Sequence, residues 1–224
     1  KYFDRGCKAY PKPKNFNIKW KNKKPTAIFR GASTGCGVTI ETNMRLKLAY
    51  LSINTPEDDK GVPLLDAGIT KWQLRPRKLK NKKYLQTINV PEMNKKGIQL
   101  ASFVSPYEQS EYKYIVHVDG HVSAFRLSLE MSMGCVILLV DSPYRLWFKN
   151  MMEPMVHYVP VKADLSNLIE QIKWCRDNDD KCNNIAKQSK KFYLKYLQKD
   201  GVLDYLQKLI VDIKNETGQY LYNN

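Results

Sequence analysis

Two short stretches of this chain carry the residue types that hold an anion. The first is Arg30-Gly31-Ala32-Ser33-Thr34-Gly35-Cys36-Gly37, with three glycines and two hydroxyls within eight residues. Backbone N–H groups exposed by glycine turns, with hydroxyls beside them, make a phosphate cradle. The spacing matches neither the P-loop nor the dinucleotide fingerprint, so taken alone this loop reads either as a cradle or as an ordinary tight turn. The second stretch runs from Asp119-Gly120 through His121, Val122, Ser123, Ala124 and Phe125 to Arg126. A glycine turn feeding a helix N-terminus offers N–H groups and partial positive charge, and Arg126 adds a full one. The anion that such a place suits is a diphosphate.

The surrounding pattern supplies elements to position both stretches. Thr26 to Phe29 reads as a short strand that delivers the first loop, and Thr42-Asn43 starts a helix behind it. In that helix Leu46, Ala49 and Tyr50 share a face, and Arg45 lies in the first turns on the side of the loop. Tyr114 to Val118 is an apolar run too short for a buried helix, hence an inner strand. Ser123 is placed to cap a helix whose Ala124, Leu127 and Met131 share a face. Gly134 ends it, and Cys135 to Val140 has the character of a strand buried on both sides. Val62 to Ile69 is a short strand or turn around Asp66, Tyr144 to Phe148 an amphipathic turn, and His157 to Val161 a further strand. Leu165, Leu168, Ile169 and Ile172 then mark a helix with Asp164 or Ser166 as cap, and residues 181–198 and 202–213 read as two more.

Strands alternating with helices predict an α/β fold: a Rossmann-like open parallel sheet with helices on both faces. Ligands of such sheets bind beyond the carboxyl ends of the strands, where the two loops are expected to converge on a nucleotide diphosphate. Residues 1–25, Lys-rich and carrying Pro11, Pro13 and Pro25, read as an irregular arm leading from an upstream segment, since the chain begins at Lys1. Residues 26–200 form the nucleotide-binding domain, and residues 201–224 a C-terminal helix and tail.

Composition sets outer limits. The chain has 224 residues, 43% of them hydrophobic, and a formal charge of +15 from 37 Lys and Arg against 22 Asp and Glu. That balance fits a polyanionic partner, an acidic ligand, or a genome biased toward lysine codons, as in a microbe or virus. The densest basic segment runs from Lys71 to Lys83, but only Trp72 and Tyr84 interleave with it, and it reads as a solvated loop rather than a nucleic-acid surface. No run approaches the roughly 18 apolar residues of a membrane span. The five cysteines lack paired metal-ligand spacings and point to inert thiols in a reducing, cytoplasmic setting.

One combination of motifs goes further. Phe29-Arg30-Gly31 with Thr34, Asp66-Ala67 with Thr70, Tyr112-Lys113-Tyr114, Gly120 to Ser123 with Phe125-Arg126, Gly134, and His157 to Val161 with Asp164-Leu165-Ser166 stand in this order along the chain. Together they resemble the protein O-glucosyltransferases and capsule xylosyltransferases of glycosyltransferase family 90. The resemblance implies the C-terminal, donor-binding half of a GT-B enzyme that transfers glucose or xylose from a UDP-sugar, with inversion and without a metal ion or other cofactor. The acceptor it implies is a protein or glycan hydroxyl. It further implies donor contacts from Arg30, Gly31, Ser33 and Thr34, and from Gly120 to Arg126, with Arg126 on the diphosphate. Animal members often carry a second arginine where this chain has Ser33, so Arg45 is expected to supply that charge. Asp66 either contacts the donor or caps a neighbouring turn. By analogy with other GT-B enzymes, Glu130 sits where a ribose-binding carboxylate is kept. The general base of the family belongs to an acceptor-binding domain upstream, and no catalytic base is assigned in this chain. His121 is expected to serve the turn through its backbone, and His157 to be structural. Two other readings stay open on the residues alone: a basic polyanion-binding domain, and a noncatalytic nucleotide-sugar-binding module.

Overall fold

The computed structural model describes the backbone of residues 16–221 and the side chains of residues 16–217. Five parallel strands form one sheet: β1 (Lys24–Ala32), β2 (Leu65–Lys71), β3 (Tyr112–His117), β4 (Val136–Val140) and β5 (Val159–Val161), in the order β2-β1-β3-β4-β5. The helices are α1 (Met44–Asn54), α2 (Val90–Lys95), α3 (Pro106–Gln109), α4 (Leu127–Ser132), α5 (Leu168–Asp177), α6 (Asp179–Phe192) and α7 (Lys199–Leu221). The expected open α/β architecture is thus present.

Burial on both sheet faces explains the continuous apolar strands. All five residues of β4, Val-Ile-Leu-Leu-Val, are buried, as a central strand covered from both sides requires. Phe29, Tyr114, Val116 and Leu138 point to one face and pack with Leu48, Leu168, Ile172 and Ile185 of α1, α5 and α6. Ile28, Ile115 and Ile137 point to the other and meet Leu127 and Met131 of α4 and Phe192 at the end of α6. A smaller cluster, including Ile40, Leu46, Ile69 and Met93, fills the space beside β2.

Several boundaries differ from the sequence expectation, each for a local reason. β1 begins at Lys24, ahead of Thr26, because its pairing with β3 skips a residue between Lys24 and Ala27. That irregularity accommodates Pro25, which has no N–H to give to a ladder. Residues 16–25, expected within an irregular arm, are built into the domain. Phe16 is buried, Trp20–Asn22 forms a 3-10 turn, and Trp20 Nε1 donates to Asp179 Oδ2 at 3.0 Å. The rest of that arm, residues 1–15, lies outside the described residues. Leu165 precedes the helix it was expected to join. It sits at φ 63°, and α5 starts at Leu168 behind Asn167, while Asp164 Oδ1 accepts from Ser166 N instead of capping.

The sheet order matters for the site. β1 and β3 are neighbours, and the chain leaves them toward opposite sides of the sheet, through α1 to β2 and through α4 to β4. This is the topological switch point, where open α/β sheets leave a crevice beyond their strand ends. The two glycine-bearing loops follow β1 and β3.

Candidate functional site

The loops after β1 and β3 touch. A Cβ built on Gly120 would lie 2.4 Å from Thr34 Oγ1, so only glycine permits the approach. Gly35 N donates to His121 Nδ1 at 3.4 Å, and Tyr144 Oη donates to the His121 carbonyl at 2.7 Å. Asn43 shapes the first loop from behind. Its Oδ1 caps α1 by accepting from Arg45 N and Leu46 N, while Nδ2 donates to the carbonyls of Ser33 and Gly37. Ser33 is buried and turned away from the crevice, its Oγ accepting from Gln73 N at 2.8 Å. Arg77 donates to the Gly37 carbonyl from the same side.

The second loop does not enter a helix where expected. Asp119 Oδ1 accepts from Ala124 N at 2.5 Å, which holds the chain in a turn. The six-residue α4 begins only at Leu127, with Arg126 in the cap position and Ser123 not capping it. So short a helix supplies little dipole, and the positive charge of the site comes from arginines.

Three arginines meet at the switch point. Arg45 is buried and spans the ends of β1 and β3, donating to the carbonyls of Ala32 (3.1 Å), Val118 (3.0 Å) and Asp119 (3.1 Å). Burial, followed by repulsion from Arg126, brings its pKa down to about 10, so it stays protonated at neutral pH. Arg45 therefore contributes field to the site while its donors hold the strand ends. Arg30 donates to the carbonyls of Phe29 and Asp66 and pairs with Asp66 Oδ1 at 2.7 Å. Asp66 thus serves to hold Arg30, and its Oδ2 also accepts from Tyr112 Oη at 3.3 Å. Arg126 donates through Nη1 to the Arg30 carbonyl at 2.7 Å. Its Nε lies 2.9 Å from Glu130 Oε1. That contact is close enough for an ion pair but lies off the N–H direction, so both atoms remain without a hydrogen bond. The guanidinium carbons of Arg45 and Arg126 lie 5.6 and 5.2 Å from the centre of the Phe29 ring.

Sequence reasoning missed His117, at the end of β3. It is buried, with Nδ1 2.5 Å from Glu130 Oε2 and Nε2 3.7 Å from Asp119 Oδ1. Burial alone would lower its pKa, but the two carboxylates outweigh that and raise it. Glu130 is likewise shifted up by burial and more strongly down by His117, Arg126 and Arg45, so it is held ionised. Burial also works against the Asp119 carboxylate, yet hydrogen bonds from His117, Ser142 and Ala124 bring its pKa down to about 2. The available signal was a histidine in an otherwise apolar strand, which as a buried polar group demands a partner.

A cavity of about 200 Å3 opens here, lined by Arg30, Gly31, Thr70, Phe103, Gln109, Arg126, Glu130 and Met133 among others. Of the sequence-nominated residues, Arg30, Gly31, Arg126 and Glu130 line it. Thr34, Gly120 and His121 form the seam between the loops, Ser33 and Arg45 lie behind it, and Asp66 holds Arg30. Ser123 and Ala124 are half-buried in the second loop, while Val122 and Phe125 are exposed on it. Phe103, Gln109 and Met133 were not foreseen, because they arrive from segments whose position only the tertiary fold sets. Chemically, the arrangement is a mainly apolar crevice with two arginine side chains at its wall and a carboxylate fixed in the ionised state.

Comparisons with known proteins agree with this picture. The chain is 54% identical to protein 179R of Invertebrate iridescent virus 6 over 95% of its length, covering 18% of that protein. It is 33% identical to human protein O-glucosyltransferase 3 over 88% of its length, covering 33% of the relative, and 30% identical to mouse protein O-glucosyltransferase 1 over 86%, covering 42%. The chain thus spans less than half the length of these curated relatives. Among solved structures its fold is similar to that of HepE from Anabaena in complex with UDP. The TM-score is 0.55 at 11% identity, with 91% of this chain and 54% of that one covered. It is also similar in fold to TarM, with a TM-score of 0.53 at 12% identity, covering 86% of this chain and 37% of that one. The family model for glycosyl transferase family 90 matches residues 11–215, and the chain belongs to that family.

Proposed function

We propose that this chain is the donor-binding half of a transferase that moves glucose or xylose from a UDP-sugar to a protein or glycan hydroxyl, with inversion. The observation that carries the reading is the pair of arginines, Arg30 and Arg126, lining one cavity at the sheet's switch point. When a glycosyl donor breaks, negative charge grows on the departing UDP. Guanidinium groups already oriented toward that position stabilise it without reorganising, which is the role a metal ion plays elsewhere. In this reading Arg126 contacts the diphosphate, Arg30 is aimed by Asp66, and Arg45 adds charge from behind. Metal independence and the need for an acceptor-side domain that brings a general base are part of the proposal. The family membership and the UDP-glucose complex of a protein of similar fold support it.

Calorimetric titration with UDP and UDP-glucose, with and without EDTA, tests the reading. Binding is expected to be indifferent to EDTA, and Arg126→Ala to weaken it about 100-fold, as loss of a buried charge-assisted contact does. Arg126→Lys recovers only part, since an ammonium cannot reproduce the planar fork. Unchanged UDP affinity in Arg126→Ala refutes the placement of the diphosphate.

A further inference from the structure

Between Asp66 and Glu92 the chain carries seven Lys or Arg and no Asp or Glu. The basic residues of this segment are exposed except Arg77, as a solvated loop requires, but the segment is also folded on itself and attached beside the site. Arg77 and Gln86 exchange backbone hydrogen bonds at 2.7 and 2.8 Å, which closes the residues between them into a hairpin. Lys78 Nζ braces the tip by donating to the carbonyls of Lys82 (2.7 Å) and Lys83 (3.0 Å), and Asn81 turns it at φ 62°. The base of the hairpin is hitched to the loop after β1 at two points, Gln73 N to Ser33 Oγ and Arg77 to the Gly37 carbonyl. Lys80, Lys82 and Lys83 are exposed at its tip. Arg75 and Arg77 also stand close enough to the second loop to depress the His121 pKa, after burial.

We infer that this hairpin is a docking arm for an acidic segment of a polypeptide acceptor, held at the rim of the donor site by its anchors on the Ser33 to Gly37 loop. The inference rests on the transferase reading above. Lysine ammoniums are point charges that meet carboxylates without fixed geometry, which suits a segment of variable sequence. Leu74 and Leu85, 50% and 62% exposed, flank the charges and offer apolar contact to side chains. Single-stranded nucleic acid suits the arm less well. Tyr84 is the one aromatic at its tip, whereas a strand of nucleic acid is held by several aromatics on which successive bases stack.

The test is fluorescence anisotropy with a short fluorescein-labelled peptide of alternating Glu and Ser, beside a Gln and Ser control and a labelled oligo-uridine, using the wild-type chain and a K80A/K82A/K83A variant. All three lysines are exposed, so the fold is retained, and calorimetry with UDP on the same samples reads the donor site separately. The Glu peptide is expected to bind more tightly than both other probes. The triple substitution is expected to weaken it about tenfold while leaving UDP affinity unchanged. Raising salt from about 50 to about 200 mM is expected to erase most of the difference between the proteins. Equal binding of the Glu peptide by the two proteins overturns the proposal, as does tighter binding of the oligo-uridine. Loss of UDP binding in the wild type would instead refute the donor reading, whatever the peptide does.

Discussion

Gly120→Ala is the sharpest probe of how the two loops meet. Gly120 is not among the residues with positive φ, so alanine costs the backbone nothing and any effect is steric. The new methyl would stand 2.4 Å from Thr34 Oγ1, against 3.4 Å for the onset of ordinary contact, with Thr34 Cβ at 3.2 Å and Arg45 Cζ at 3.4 Å behind it. Neither neighbour retreats easily. Thr34 N is bonded to the Ala32 carbonyl at 2.7 Å, and Arg45 is fixed by three carbonyls. The loops therefore separate by up to about 1 Å, with about 1–3 kcal/mol lost to overpacking. A displacement of about 1 Å in a binding constellation weakens it on the order of 100-fold. Thr34→Ala removes the atom that clashes, so the double variant Thr34→Ala/Gly120→Ala is expected to bind UDP within about tenfold of wild type. Calorimetry for UDP and urea unfolding on all four proteins give the coupling directly. If the double variant is no better than Gly120→Ala in either measurement, the loops do not meet at this pair and the seam is wrong.

Two further outcomes follow from contacts away from the cavity wall. Arg176 donates from Nε to the Pro25 carbonyl, from Nη1 to Asp58 Oδ2 and from Nη2 to the Pro63 carbonyl, all within 2.7 Å. Arg176→Ala is expected to lower stability by about 2–3 kcal/mol in urea unfolding, yet to leave UDP affinity unchanged, because it ties α5 to the opposite end of β1. The buried carboxylates and His117 give stability two pH limbs. His117 is raised on folding, so its contribution is complete below about pH 6.5 and is lost as pH rises through the higher folded pKa. Asp119 is depressed to about 2, so its contribution is complete above about pH 4 and fades as pH falls toward 2. Urea midpoints measured against pH should show the alkaline limb flattened in His117→Gln and the acid limb flattened in Asp119→Asn. Parallel profiles in wild type and variants would contradict the assigned partners.

Local pattern revealed much of the fold. The all-apolar run of β4 and the Thr42-Asn43 helix start were legible because burial on two faces and N-capping act within a few residues. The two loops were legible as chemistry, and their convergence beyond the strand ends was expected from the alternation of elements, whereas the order β2-β1-β3-β4-β5 was not. What stayed hidden is set by register across long separations. Arg45 finds its carbonyl partners at Val118 and Asp119, and nothing near Arg45 in the sequence announces them. His117 and Glu130 meet only because α4 lies against the sheet at that height. The late start of α4 turned on a single Asp119 contact with Ala124, which outweighed the capping preference of Ser123.

Phe29 lies close to two guanidiniums at once, 5.6 Å from that of Arg45 and 5.2 Å from that of Arg126. The ring face attracts both cations, which lets two like charges share one small volume. They still repel: burial first, and Arg126 second, lower the pKa of Arg45. Glu130, 2.9 Å from Arg126 Nε, and Asp119 offset part of that repulsion. On the proposed donor reading, an anion against Arg126 is expected to bind more tightly than a neutral ligand of the same shape.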